Sequence, residues 1–251
     1  MLAVKIENLT KVYKKRYFLK PRYSVGIKNL NLEVEEGETF GLLGLNGSGK
    51  TTTIKLLLGL LFADSGQAFI YQHKVPDRQA SNLIGYLPEA PYFYRYLSAQ
   101  EIINFYGRLS GVPEQERQKK IDELLELVNL TKNRHKRLTD FSKGMLQRVG
   151  IAQALIHDPK ILFFDELITG LDPVGITEMR QLLLRLKEQK KTIFLSSHII
   201  SEIVKVCDRV GILKEGSLVR IVDLRQLKNK DEELEKIFLS TVMPSGQEIV
   251  S

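Results

Sequence analysis

The string Gly44-Leu45-Asn46-Gly47-Ser48-Gly49-Lys50-Thr51 constrains this chain more than any other stretch of it. It follows the compact apolar run Thr39 to Leu43 and leads into Thr52-Thr53-Ile54-Lys55-Leu56-Leu57, which has helical spacing. The spelling G-x-x-x-x-G-K-[ST] between a strand and a helix is that of a phosphate-binding loop. Glycines let consecutive backbone N–H groups curl around a β-phosphate, and the N-terminus of the following helix adds partial positive charge. Lys50 is placed to reach β- and γ-phosphate oxygens, and the Thr51 hydroxyl to ligate Mg²⁺. Taken alone, the string says only that the chain is built around a nucleoside triphosphate.

Composition sets the frame for that loop. The chain has 251 residues, 43% of them hydrophobic and 27% charged, which is the make-up of a globular protein large enough to bury a substantial core. A single cysteine, Cys207, excludes an internal disulfide framework and a thiolate zinc cluster, and fits a reducing compartment. No apolar run approaches the about 20 residues that a spanning helix needs. The N-terminus lacks a long apolar region and a cleavage-site pattern, which argues against a secretory signal. Lys+Arg 37 against Asp+Glu 30 leaves a formal charge of +7. Nucleic acid, an anionic membrane surface or plain solubility would each account for that excess.

Short apolar runs alternate with helical stretches, so the pattern predicts an α/β fold. Leu30, Leu32 and Val34 recur at period two, as in a strand. Thr39 to Leu43, Ile161 to Phe164, Thr192 to Leu195 and Val210 to Leu213 are continuous apolar runs that suit central strands covered on both faces. From Ser98 to about Ile156 the spacing is helical, opening with the capping-box spelling Ser98…Glu101. This stretch reads as a helical subdomain, about 95–157, inserted into an α/β core. Residues 1–227 form the main domain, and 228–251 a tail that could dock as a helix.

The run Ile161-Leu162-Phe163-Phe164-Asp165-Glu166 delivers two carboxylates at the C-terminal end of a strand, where ligands sit in open α/β sheets. Beside a phosphate-binding loop, Asp165 is the Mg²⁺-side carboxylate and Glu166 is placed to polarise a water for in-line attack on the γ-phosphate. Without that loop the pair would read as two solvated acids.

Upstream lies Phe141-Ser142-Lys143-Gly144-Met145-Leu146-Gln147-Arg148, then a helical run to Leu155. With these residues in view, the chain resembles the nucleotide-binding subunit of an ATP-binding-cassette (ABC) transporter, from about Val4 to Val222. Ser142 and Gly144 agree with the family signature L-S-G-G-Q, while Phe141, Lys143 and Met145 depart from it. Tyr13 sits where the family stacks an aromatic ring on adenine. Thr169-Gly170-Leu171-Asp172 looks like the D-loop, with Asp172 its acidic member, and Ser196-Ser197-His198 looks like the switch histidine.

The resemblance implies a P-loop (RecA-like) core with a mostly parallel central sheet, an antiparallel β subdomain and an inserted α-helical subdomain. It implies ATP and Mg²⁺ as ligands, with Lys50, Glu166 and His198 catalytic and Thr51, Asp165 and Glu89 on the metal side. The nucleotide would be bound by Tyr13, Gly44, Leu45, Asn46, Gly47, Ser48, Gly49, Lys50, Thr51 and Thr52. Ser142, Gly144 and Asp172 would act across a head-to-tail dimer with a second ABC subunit, identical or not. The chain itself would be cytoplasmic, peripheral on the cytoplasmic face of the cell membrane, where it would energise a separate integral membrane permease, with export as the direction and cargo unassigned.

The departures are specific. Pro88-Glu89 stands where the family has a metal-ligating Gln, and Leu167-Ile168 replaces the usual Pro-Thr. Lys143 either adds a phosphate contact or points to solvent. The basic, aromatic segment Lys14 to Gly26 is longer than usual before the next strand. It reads as a solvated hairpin tip or as a lipid or partner contact. Pro91-Tyr92-Phe93-Tyr94-Arg95-Tyr96 follows the Glu89 loop, where the family receives a helix of the membrane subunit; exposed aromatics beside Arg have the make-up of an interface centre. The rival is a soluble ABC ATPase acting on ribosomes or nucleic acid. No aromatic-interleaved basic stripe supports it, and no specific nucleic acid partner is expected.

Overall fold

The structure is a computed structural model that describes residues 1–16 and 21–243; residues 17–20 of the basic segment and 244–251 of the tail lie outside the described residues. In chain order the first elements are β1 (Leu2–Arg16), β2 (Pro21–Glu35), β3 (Thr39–Gly44), α1 (Lys50–Leu57), β4 (Ser65–Ile70), β5 (His73–Lys74), α2 (Arg78–Asn82) and β6 (Ile84–Leu87). Then come α3 (Ala99–Leu109), α4 (Glu114–Leu127), α5 (Lys143–Leu155), β7 (Ile161–Asp165) and α6 (Pro173–Glu188). The chain closes with β8 (Thr192–Ser197), α7 (Ile200–Val206), β9 (Arg209–Lys214), β10 (Ser217–Asp223) and α8 (Lys230–Val242). It divides into two compact units, Met1–Ser81 with Phe194–Ser251, and Asn82–Ile193.

The first unit holds a four-stranded antiparallel sheet in the order β2-β1-β4-β5. β1 and β2 pair from Leu2↔Glu35 to Arg16↔Pro21, whereas the ladder to β4 stops at Thr10↔Ser65. Much of the segment from Lys14 to Gly26 is therefore strand, not a connection ahead of one. The Val12↔Val25 pair favours the extended ribbon, and the Lys14 ammonium lies 5.9 Å from the centre of the Tyr23 ring across the strands. In the same unit β3 runs parallel to β9, and β9 forms a hairpin with β10. β3 is buried along its whole length, as its unbroken apolar run requires, and Phe40 packs on Phe194 with ring centres 5.5 Å apart. The tail contributes α8, which buries Leu234 and Phe238; Lys214 Nζ donates to the Thr241 carbonyl at 3.0 Å, near the helix C-terminus where a cation is favoured.

The second unit pairs β6 and β7 in parallel, from Ile84↔Ile161 to Leu87↔Phe164, with every residue of β7 buried. Between Ser98 and Ile156 the described regular structure is helical. Ser98 caps α3 in a full capping box with Glu101. Ile121, Leu124 and Leu125 form the buried stripe of α4, and Val149 to Ala152 are buried on α5. Asp172 caps α6 and Pro173 occupies its first turn, where a missing N–H costs nothing. Among the described residues, no helix is long and apolar enough to cross a membrane.

Candidate functional site

In the first unit β3 ends at Gly44 and α1 begins at Lys50, so Leu45 to Gly49 form the turn between them. A side chain at Gly44 would strike Ser48 Oγ and come within 2.6 Å of the Leu213 carbonyl oxygen. One at Gly49 would strike the Gly26 carbonyl, and Gly49 also sits at φ 111°. These positions exclude a Cβ, so the loop is shaped by backbone on backbone. Lys50 is 5% exposed and its Nζ donates to the Gly44 carbonyl at 2.7 Å and the Leu45 carbonyl at 3.3 Å, which holds the ammonium across the loop. Ser48 Oγ is buried without a hydrogen-bond partner. No acidic residue stands in the first turn of α1 to offset its N-terminal partial charge. A triphosphate suits this loop on each count: a fixed cation, an orphaned hydroxyl and a helix N-terminus with no acidic residue against it.

Two more candidates belong to this unit. Tyr13, on β1, is half-buried, with its ring against Gly26 and its hydroxyl 3.1 Å from Thr52 Oγ1. Tyr13 and the P-loop helix are therefore neighbours. His198 is exposed just beyond β8, in a turn tightened by the Ile199 N–H donating to Ser197 Oγ at 3.0 Å.

The second unit carries the acids. Asp165 and Glu166 are 4% and 7% exposed, which removes the reading of two solvated carboxylates. Burial, with the Asp165 charge nearby, pushes the Tyr86 phenol up to about 12. Glu166 adopts φ 50°, in the left-handed region. Thr169 fixes it twice: the Thr169 N–H donates to the Glu166 carbonyl at 3.2 Å and the Thr169 hydroxyl to Glu166 Oε2 at 3.1 Å. Ser142 caps α5, accepting from the Met145 N–H at 3.3 Å, and Asp172 Oδ1 accepts from the Gly175 N–H at 2.6 Å. Glu89 has an exposed side chain, while its main-chain carbonyl accepts from Gln147 Nε2 at 2.9 Å. Among the described residues, no group of three or more His, Cys, Asp or Glu is arranged to hold a metal ion by itself. A hydroxyl, a carboxylate and substrate phosphates are the donor set Mg²⁺ usually takes.

Comparison with known proteins decides the family. The ABC transporter family profile matches residues 27–169. The chain is 42% identical to an uncharacterized ABC transporter ATP-binding protein of Synechocystis, over 98% of this chain and 68% of that one. The chain belongs to the ABC transporter family. It is 40% identical to a bacitracin transport ATP-binding protein of Bacillus licheniformis, over 94% of this chain and 75% of the relative. A dimeric ATP-binding cassette in a post-hydrolysis state with ADP and Pi superposes with a TM-score of 0.76 at 28% identity, covering 89% of this chain and all of the other. The expected cassette fold, α/β with an antiparallel β part and a helical part, is thereby established, as are ATP with Mg²⁺ as ligands and ATP hydrolysis as the activity. Members of this family energise transport through a separate permease.

Within this cassette the structure joins motifs that the sequence keeps apart. A Cβ on Gly170 would lie 2.8 Å from Lys143 Nζ, and one on Gly144 would lie 3.8 Å from Leu171. Lys143, whose expected place was a phosphate contact or solvent, is exposed and carries its ammonium beside Gly170 of the Thr169–Asp172 turn. Leu167 and Ile168, in place of the family's Pro-Thr, are buried. Two contacts lie outside what the motif strings predict, Thr169 on Glu166 and Gln147 on Glu89. Each is a side-chain bond to a candidate residue that no motif spelling encodes. The one available signal for Gln147 was an amide on the apolar side of a helix.

Proposed function

We propose that this ABC ATPase drives export through a separate integral membrane permease, working at the cytoplasmic face as one half of a head-to-tail pair with a second ABC subunit. The observation that carries the transport reading is the 40% identity, over 94% of this chain, to a protein named for bacitracin transport. Residues 1–227 act as the ATPase domain and 228–251 as a tail. Lys50 and the Gly44–Thr52 backbone bind the phosphates, and Tyr13 stacks on the adenine. Thr51, Asp165 and Glu89 lie on the metal side, where Mg²⁺, when bound, neutralises phosphate charge. Glu166 orients and deprotonates the attacking water, and His198 contacts the γ-phosphate. Ser142, Gly144 and Asp172 complete the nucleotide site of the facing subunit. Tyr92, Tyr94 and Tyr96, respectively 90%, 48% and 66% exposed, offer the permease an aromatic surface backed by Phe105 and Tyr106.

The reading is tested with Glu166→Gln in the full chain. Loss of a general base costs on the order of 10²-fold or more in turnover, so ATPase activity should collapse while ATP-dependent dimerisation persists in gel filtration. Undiminished hydrolysis would refute the assignment of Glu166. Purification from membranes should recover a polytopic partner, and recovery of ribosomes alone would favour the soluble ABC ATPase instead.

A further inference from the structure

β6 and the turn after it lie along α5 at three successive points. Gly85 packs against the Ala154 carbonyl, Leu87 Cδ1 against Gly150, and the Glu89 carbonyl receives Gln147 Nε2 at 2.9 Å. Steps of two along the strand thus meet steps of about one turn along the helix, 154, 150, 147, which is the match expected of one strand face against one helix stripe. The first two contacts are made by backbone and carbon. The third is a hydrogen bond, and it falls where the strand has ended at Leu87 and Pro88 has no N–H to offer.

Gln147 is fully buried, and its Oε1 has no hydrogen-bond partner. The amide cannot be turned round, because that would set its oxygen against the Glu89 carbonyl oxygen. A buried, unpaired amide oxygen is a standing cost to the fold, which an apolar side chain of the same shape would avoid. The one return visible for that cost is the bond that holds Glu89.

We infer that Gln147 is a positioning residue for ATP turnover: it fastens the Glu89 loop to the helix headed by Ser142, so that the two are displaced together. The inference rests on the proposed readings of Glu89 as a metal-side residue and Ser142 as a contact to the nucleotide of the facing subunit. Through this bond, a displacement of the Glu89 loop would carry the signature helix with it.

The test is Gln147→Met in the full chain, with Gln147→Leu as a second variant should the first not fold. The substitution removes the unpaired oxygen but leaves the Glu89 carbonyl without its donor; the two effects oppose, so Tm should change little. The kcat for ATP should fall about tenfold, in keeping with the effect of small misplacements near a reacting centre. KM for ATP should stay within about twofold, since the phosphate-binding loop is not touched. A variant with parental kcat would overturn the inference. So would a fall in Tm with kcat per folded molecule unchanged, the signature of a merely structural amide. Glu89→Ala, which keeps the main-chain carbonyl, separates the two ideas. If that variant needs no more Mg²⁺ than the parent while Gln147→Met still loses kcat, the metal-side reading of Glu89 fails and the positioning role stands. If Glu89→Ala is impaired and Gln147→Met is not, the positioning role fails alone.

Discussion

At the scale of single residues, Glu166 stands out because its backbone sits where non-glycine residues pay roughly 1–2 kcal/mol. Such a conformation persists when the surroundings over-determine it, and Thr169 supplies that by gripping both the carbonyl and the carboxylate. Thr169→Val removes the side-chain grip and keeps the shape. It should lower kcat by about three- to tenfold with KM for ATP unchanged, while Thr169→Ser, which keeps the hydroxyl, should stay near the parent. Steady-state kinetics at saturating Mg²⁺ and ATP decide this, and a serine variant as slow as the valine one would count against it. Lys50, Asp165 and Glu166 stand out as candidates in the sequence because the proposed chemistry dictates residue type at fixed spacing from glycines and an apolar run. Thr169, Gln147 and the resting place of Lys143 do not. Each depends on where a flexible side chain lands after the chain has turned, and many residue types would satisfy the same local pattern.

Whole elements were more readable than their ends. The unbroken apolar runs became β3, β7 and β8, each buried throughout, and the Ser98…Glu101 spelling became a true capping box. A hairpin was expected between β1 and β2, but how far its arms pair was not marked in the sequence, since Lys and Arg between aromatics give no one-sided apolar stripe. The join between α5 and β6 depends on Gly85 and Gly150, which allow the helix to approach. His157, just past α5, closes the far end of that join. Its Nε2–H donates to the Ile84 carbonyl at 3.0 Å, while Nδ1 is buried without a partner. Burial holds the His157 pKa below its ordinary value, and Lys120 and Lys191 push the same way against the Ile84 bond and Asp158. The folded state therefore favours the neutral ring, and this contribution is fully present above the unfolded pKa of about 6.5. As pH falls below that value the unfolded chain takes up the proton first, so stability declines. Thermal melting should show Tm dropping between about pH 7 and 5.5, and His157→Gln should flatten that drop. An equal drop in the variant would assign the effect to other groups.

At the scale of the molecule, the exposed tyrosines are the part of the surface on which the proposed permease contact rests. Tyr92 and Tyr96 are large, rigid and accessible, the features of residues that carry interface energy. Replacing both with Ser should reduce recovery of the membrane partner in co-purification by about tenfold or more, as hot-spot losses do. Recovery equal to that of the parent would move the contact elsewhere. The cassette outline was readable because several short motifs occur in a fixed order. Partner and cargo were not, because the surfaces that select them have no fixed spelling. Behind the phosphate-binding loop, the Gly26 carbonyl lies against Gly49, the Gly216 N–H donates to the Ser48 carbonyl at 2.9 Å, and Lys28 N–H donates to the Gly216 carbonyl at 2.7 Å. Three distant stretches of chain thus meet there through main-chain hydrogen bonds and glycines held close to their neighbours. Changes on the outer faces leave this crossing untouched, whereas any side chain at Gly49 would drive into the Gly26 carbonyl and pull the three stretches apart.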